Sequence, residues 1–263
     1  NKTTFMSIGP AGEMKMYASS IACTDREQRP SRHAGRGGAG AVMGSKGIKL
    51  IVIDDEGAKR LAPMDLDAFK AANRVFSEGL KKHAVTGEGL PAYGTNVLTN
   101  VINEAGGYPT RNFQKGRFEG ASKISGETIA EMEDARGGTS SHSCHTGCII
   151  KCSGIYHDAE GKFLTKQPEY ETVWAHGGNC EIDDPDKIAM MDRLDDDFGL
   201  DTIEMGATIG VAMEAGIIEF GDADGAINLI KEVGKGTPLG KILGAGAEIT
   251  GKTLGVERVP VVK

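Results

Sequence analysis

The chain has 263 residues, a formal charge of -7, 38 glycines and five cysteines. That length can bury a sizeable core in one large domain or two smaller ones without disulfide staples. The acidic balance argues against a nucleic-acid partner, since phosphate binding relies on a basic surface, and no apolar run is long enough for a membrane span.

No segment carries the charged, apolar and small-residue series of a signal peptide, so the chain reads as cytoplasmic. An odd cysteine count with three crowded together fits a reducing compartment and metal chemistry better than a disulfide framework. The start at Asn1 and the strand-like run VERVPVVK at the other end read as the limits of an internal piece of a longer polypeptide.

In chain order, residues 1–57 read as β-rich and Gly-rich. FMSIG, MKMYASSIA and IKLIVID are strand candidates, separated by IGPAGE and AGRGGAGAVMGSKG. From Met64 the period changes: Phe69, Ala72, Phe76 and Leu80 recur at helical spacing, with Asp65 or Asp67 as N-cap. Residues 86–125 are rich in turns, punctuated by YGTN and YPTRNF. Asp184 and Pro185 form a cap followed by proline at the first helical position, opening a helix through Ile188, Met191 and Leu194 that stops near Gly199. A second helix is expected from Thr202 to Glu214, ended by Gly216, and a third over DGAINLIKEVG, ended by Gly234. The expected class is α+β, a small β-rich region over 1–57 followed by a larger α-helical domain over 58–263.

Four motifs bear on chemistry. SHSCHTGCIIKC places Cys144, Cys148 and Cys152 at intervals of four, beside His142 and His145. Three thiolates so spaced can face one soft metal. Zinc would take a histidine as fourth ligand, although the usual paired knuckles are absent, and an iron–sulfur cluster would draw a fourth cysteine from far away, with Cys23 and Cys180 as candidates. The plainer alternative is three buried small hydrophobes.

RPSRHAGRGGAGAVMGSKG combines Arg29, Arg32 and Arg36 with a glycine run that can form an anion nest, and arginines clamp phosphates with two hydrogen bonds. It is neither a P-loop nor a dinucleotide fingerprint: Gly44-Ser45-Lys46 has the wrong order, and the strand IKLIVID follows the glycines instead of preceding them. Taken alone, such a turn is more often structural, but the arginines favour a phosphate-bearing cofactor. DDDFGLD offers Asp196, Leu200 and Asp201 at a helix junction, where Gly199 as terminator and Asp201 as cap are the plain reading. The functional one has two carboxylates accepting from a ligand rich in N–H groups, such as a pterin. PEYET adds Glu169 and Glu171, which share a face in a strand but not in a helix, and His142, His145 and His176 can carry protons near neutral pH.

Taken together, these pieces resemble the tungsten-dependent aldehyde:ferredoxin oxidoreductase family. IGPAGE, AGRGGAGAVMGSKGIKLIVI, YGT, PTRNF, ISGE, the cysteine cluster, PEYET and DDFGLD run in family order from Ile8 to Gly216. The first cysteine interval is one residue longer than the family's usual pattern. No second GLC-like motif supplies a fourth cluster cysteine.

The resemblance implies a tungsten or molybdenum centre held between two molybdopterins, a [4Fe-4S] cluster beside one pterin, and a Mg2+ ion bridging the pterin phosphates. Residues 1–57 then correspond to the C-terminal part of a β-rich pterin-binding domain, and 58–263 to an α-helical domain carrying the iron–sulfur and pterin motifs. By position, Arg32, His33, Ala34, Gly35 and Arg36 correspond to the segment that meets the pterin phosphates, His33 through its carbonyl to magnesium. Asp196, Leu200 and Asp201 correspond to the D-x-x-G-L-D pterin motif, and Cys144, Cys148 and Cys152 to three cluster ligands. Glu171, with Glu169 second, corresponds to the carboxylate near the metal.

The implied reaction oxidises an aldehyde to a carboxylic acid, with electrons passing to ferredoxin or a similar iron–sulfur carrier and a homodimer as the assembly. The alternatives are a reductase of the same family acting on an aryl thioester or carboxylic acid, and a non-catalytic iron–sulfur or zinc module.

Overall fold

Glycine turns and short strands shape the first part of the fold; the structure, a computed structural model, describes residues 3–59 and 61–261. Strands β1 (Thr3–Ser7), β2 (Ile21–Cys23), β3 (Arg32–Ala34) and β4 (Leu50–Asp54) form an antiparallel sheet in the order β3-β2-β1-β4. Met6 pairs with Cys23, Ala22 with His33 and Phe5 with Val52. Helices α1 (Pro10–Glu13) and α2 (Ala39–Ser45) fill the connections.

Two sequence expectations change in this sheet. MKMYASSIA enters it only at its end, because Met16 and Ala18 are buried by folding back on α1, the Met16 N–H donating to the Ala11 carbonyl at 2.9 Å. AGRGGAGAVMGSKG is more than a turn, since Gly38, at φ 66°, leads directly into α2.

The second part opens with α3 (Leu66–Lys82), whose N-cap Asp65 accepts from the N–H groups of Asp67 and Ala68. Short helices α4 (Leu90–Tyr93) and α5 (Leu98–Glu104) replace the expected turn-rich stretch and lead to α6 (Gly126–Ala135). A three-stranded antiparallel sheet follows, β5 (Thr139–His142), β6 (Ser153–His157) and β7 (Phe163–Lys166). The larger, mainly helical region from 58 onward thus carries a small sheet of its own. These strands are too short and too mixed in polarity to show a period of two.

Helices α7 (Tyr170–His176), α8 (Pro185–Phe198), α9 (Thr202–Glu214), α10 (Ala223–Lys235), α11 (Pro238–Gly244) and α12 (Ala247–Leu254) complete an α+β fold. The caps of α8 and α9 lie where expected, at Asp184 and Asp201. Helix α10 runs on past Gly234, which gives room to the Phe198 ring, and ends at Gly236 with φ 67°. No strand forms in VERVPVVK up to Val261, and its last two residues lie outside the described ones.

Helix α9 is the centre of the body. Every residue from Ile203 to Met213 is buried. It reaches α7 at Gly206, where a Cβ would stand 2.5 Å from that of Ala175, so this crossing requires glycine. Among the described residues no helix is long and apolar enough to cross a membrane.

Candidate functional site

A cleft of about 390 Å³ opens where β3, the end of β7 and the starts of α7 and α9 meet. One wall is the glycine-rich segment with Arg32, His33, Gly35 and Arg36. The other walls are Lys166, Glu169 and Glu171, then Asp196, Leu200 and Asp201. Residues distant in sequence therefore share one cavity, apart from Ala34, which pairs with Ile21 in the sheet and does not line it. A separate depression of about 730 Å³, bordered by Val42, Ile249 and Val261, contains none of the sequence-predicted site residues.

Backbone pairing sets the junction. Ser19 bridges Leu200 in antiparallel fashion, the Ser20 N–H donates to the Gly199 carbonyl at 2.8 Å, and the Asp201 N–H donates to the Ala18 carbonyl at 2.8 Å. Gly199 is left-handed at φ 70° as the α8 terminator, and Asp201 accepts from the N–H groups of Ile203 and Glu204. The plain capping role is therefore real, and it also points the N-terminus of α9 at the cleft.

Side chains lock β3 onto the second sheet. Arg32 donates through Nη2 to Ser153 Oγ at 2.6 Å and lies 3.7 Å from Glu169 Oε1, while its buried Nε has no partner among the described residues. His33 Nε2 faces the Asp196 carboxylate at 3.0 Å and the Pro30 carbonyl at 3.2 Å, two acceptors that place its proton on that nitrogen. Its Nδ1 lies 2.6 Å from Ser20 Oγ.

Behind Asp196 stands Lys166, whose Nζ donates to Asp196 Oδ2 and to both Asp192 oxygens at 2.9 Å each. Burial would raise the Asp196 carboxyl, but Lys166 and the His33 hydrogen bond outweigh it and hold the group below its usual range. Burial likewise opposes the Lys166 charge, and the two aspartates more than compensate, raising its pKa. Asp192, shut in more completely, is pushed up by burial despite Lys166.

The PEYET segment is neither strand nor wholly helix. Glu169 occupies the N-cap position of α7 and Glu171 its first turn, which lets both reach the cleft. Glu171 is exposed. Glu169 accepts from Thr95 Oγ1 at 2.6 Å, and its pKa is raised by burial, which Thr95 and Arg32 counter only in part.

The cysteines lie in one loop between β5 and β6, half-buried and free. Burial first, then the charges of Glu169, Cys144 and Cys148, pushes the Cys152 thiol up, so the trio and Glu169 feel one another. Among the described residues, however, no three His, Cys, Asp or Glu side chains converge on one point. Cys180 belongs to the helical core, its Sγ donating to the Ala175 and Gly206 carbonyls, and burial pushes its thiol up to about 12. The histidines are otherwise engaged: His176 is buried against Asp195 at 2.8 Å, His142 lies 3.1 Å from Glu27, and His145 meets the Thr146 carbonyl.

Lys166, Ser153 and Ser20 were not legible as site residues, since none sits in a motif, and Thr95 lies in YGT without a role assigned to it; each acts through a partner far along the chain. The one signal for Lys166 was its place just before PEYET.

Comparison with known proteins gives the family of the chain. The N-terminal domain of aldehyde ferredoxin oxidoreductase matches residues 1–55, and its domains 2 and 3 match residues 71–263. The tungsten-containing aldehyde ferredoxin oxidoreductase of Pyrococcus abyssi is 44% identical over 223 residues, 83% of this chain and 34% of that protein. The aliphatic sulfonate oxidoreductase, WOR-like subunit, of Pyrococcus furiosus is 29% identical over 259 residues, 91% of this chain and 38% of that protein. In structure, the active site complex BamBC of benzoyl coenzyme A reductase with 1,5-dienoyl-CoA superposes with a TM-score of 0.69 at 18% identity, over 97% of this chain and 40% of that one, a likeness of fold alone. The chain spans about a third of the length of its Pyrococcus abyssi relative. By its two matching domains and its sequence identity to the tungsten proteins, the chain belongs to the aldehyde ferredoxin oxidoreductase family.

Proposed function

We propose that the chain supplies the central cofactor-binding part of a cytoplasmic oxidoreductase with a bis-pterin tungsten or molybdenum centre and a [4Fe-4S] cluster. The enzyme would oxidise an aldehyde to a carboxylic acid with water as the oxygen source, releasing two protons and passing the two electrons to ferredoxin or a similar carrier. The observation that carries this reading is the cleft itself, which gathers Arg32 and Arg36, Glu171, and Asp196 with Asp201 around one cavity.

The donor set suits a pterin with a phosphate tail. Arg32 keeps a buried Nε without a partner among the described residues, and the positive end of α9 faces the same space, both favourable to an anion. Asp196 and Asp201 present oxygens to N–H donors, and the His33 carbonyl is the proposed contact for Mg2+. Cys144, Cys148 and Cys152 form a soft donor set for iron, gathered on one loop. When bound, the metal centre supplies the two-electron redox chemistry.

The protein's own part is positional and protolytic. Glu171, an exposed carboxylate in the cleft, takes a proton through a side-chain oxygen as the substrate is oxidised, with Glu169 as a more enclosed second acid. Reduction of a carboxylic acid or aryl thioester would use the same residues in reverse, and a homodimer is the proposed assembly.

A non-catalytic iron–sulfur or zinc module is the competing reading, under which Gly199 and Asp201 serve only as helix terminator and cap. Elemental analysis and low-temperature EPR on the anaerobically purified protein containing this chain separate the two. Tungsten or molybdenum with organic phosphate, and a cluster signal lost in Cys148→Ala, are expected. Iron or zinc alone would leave only the module.

A further inference from the structure

We propose that the Arg32–Ser153 contact couples the cleft to the cysteine loop, Ser153 being the positioning residue through which ligand binding on one side favours metal capture on the other. Ser153 follows Cys152 directly, and it pairs across the strands with His142, two residues before Cys144. These two residues form the foot of the loop. Their ladder is irregular between Thr139 and His142, so the foot is weakly specified by its own sheet.

Support comes instead from one short segment outside that sheet. Arg32 Nη2 donates to the buried Ser153 Oγ at 2.6 Å, and Glu27 Oε1 lies 3.1 Å from His142 Nε2. Between them the Arg29 guanidinium stands 3.8 Å from the centre of the Phe163 ring on β7. The segment is itself braced from within. The buried Asp25 carboxylate accepts from the N–H groups of Glu27 and Arg29 at 2.9 and 2.8 Å and from the Ser31 hydroxyl at 3.0 Å, which holds Gln28 in the left-handed region at φ 63°.

The same segment ends as a wall of the cleft, where Ser31, Arg32 and His33 line the cavity. Arg32 therefore belongs to both places. An anion that settles on it restricts the guanidinium, and the Ser153 bond passes that restriction to the foot of the loop. A metal that gathers the thiolates restricts the foot in turn, leaving Arg32 placed for the anion. The free energy of this coupling is equal in both directions.

This inference rests on reading the cleft as a phosphate site and the cysteines as metal donors. The full chain, reduced and anaerobic, is titrated with Co2+ by its thiolate absorption and with glycerol phosphate by calorimetry, each with and without the other, correcting for the weak complex the two form in solution. Hydrogen exchange is followed over residues 32–36 and 143–152. In the wild type each probe tightens the other by the same factor, about fivefold or more, and slows exchange at the far site. Ser153→Ala leaves Arg32 and the cysteines in place, so both probes bind and the factor falls to about one.

A cobalt affinity that phosphate leaves unmoved or weakens in the wild type, or a factor that survives in Ser153→Ala, overturns the proposal. If Ser153→Ala fails to fold, Arg32→Lys decides, because lysine keeps the charge but loses the fork that reaches Ser153. Co2+ should then no longer slow exchange over 32–36, and slowing that persists overturns the coupling. Should the wild type bind only one probe, the reading of the other site fails. The coupling is then judged on whether the bound probe slows exchange at the far site in the wild type and not in Ser153→Ala; binding of neither probe overturns it.

Discussion

The body of α6 to α12 and the arm formed by β4 and α3 were written by equally clear sequence patterns, yet they end in opposite surroundings. In α9 every residue from Ile203 to Met213 is buried, whereas in α3 none is, although Phe69, Phe76 and Leu80 line up at helical spacing. Strand β4, LIVID, is likewise exposed at all five positions. A period specifies an element and the face it would bury. Only partners from elsewhere in the chain decide whether that face is covered.

The contrast can be tested first by truncation. Ile209→Ala, in the middle of α9, should cost about 3 kcal/mol by cavity formation, while Phe76→Ala in α3 should change stability by less than about 0.5 kcal/mol. Urea unfolding midpoints measure both, and equal losses would erase the difference between body and arm.

The body also buries charge. Both carboxylate oxygens of Glu133 in α6 lack a partner among the described residues, and burial pushes the group up to about 9. The folded chain thus keeps a proton that the unfolded chain releases. Stability is fully present below the ordinary glutamate range and falls as pH rises toward about 9, by at most roughly 1.4 kcal/mol per pH unit. Glu133→Gln should flatten that slope in melts taken from pH 5 to 8. A slope unchanged in the variant assigns the effect to another group.

Helix caps sharpen the comparison on a smaller scale. Asp201 and Asp65 each accept from two N–H groups, but Asp201 is buried and also braced by Ala18. Replacement by alanine should cost about 1–2 kcal/mol at Asp201 and about 0.5–1 kcal/mol at Asp65, read from thermal midpoints. Smallest of all in stability is Val52→Lys on β4. It should leave the melting temperature within error while raising the solubility of the chain, because it interrupts an exposed apolar edge.

These contrasts explain which features were legible in advance. Asp184-Pro185, Gly199 and Asp201 announce helix ends because capping is settled within a few residues, and the structure keeps all of them. The β5–β7 sheet gave no such sign, since TSSH, SGIYH and FLTK are held by ladders and by the helices beside them. The cleft was half readable. Its motif residues could be named, but the Lys166–Asp196–His33 chain joins three elements far apart in sequence, and no local rule links them. Glu169 and Glu171 reach the same cavity by straddling a helix start, a geometry between the two that the spacing offered.

The pairing of Ala18 to Ser20 with Gly199 to Asp201 also has a bearing on how the molecule assembles. The Ser20 hydroxyl meets the Leu200 carbonyl at a sequence separation of 180, so this clasp closes one of the longest loops in the fold. Closing it takes far more chain entropy than winding α8 or α9, which draw on neighbours alone. The helices can therefore form early, and the cavity acquires its final outline only when the segment from Ala18 to Ser20 docks on the α8–α9 junction.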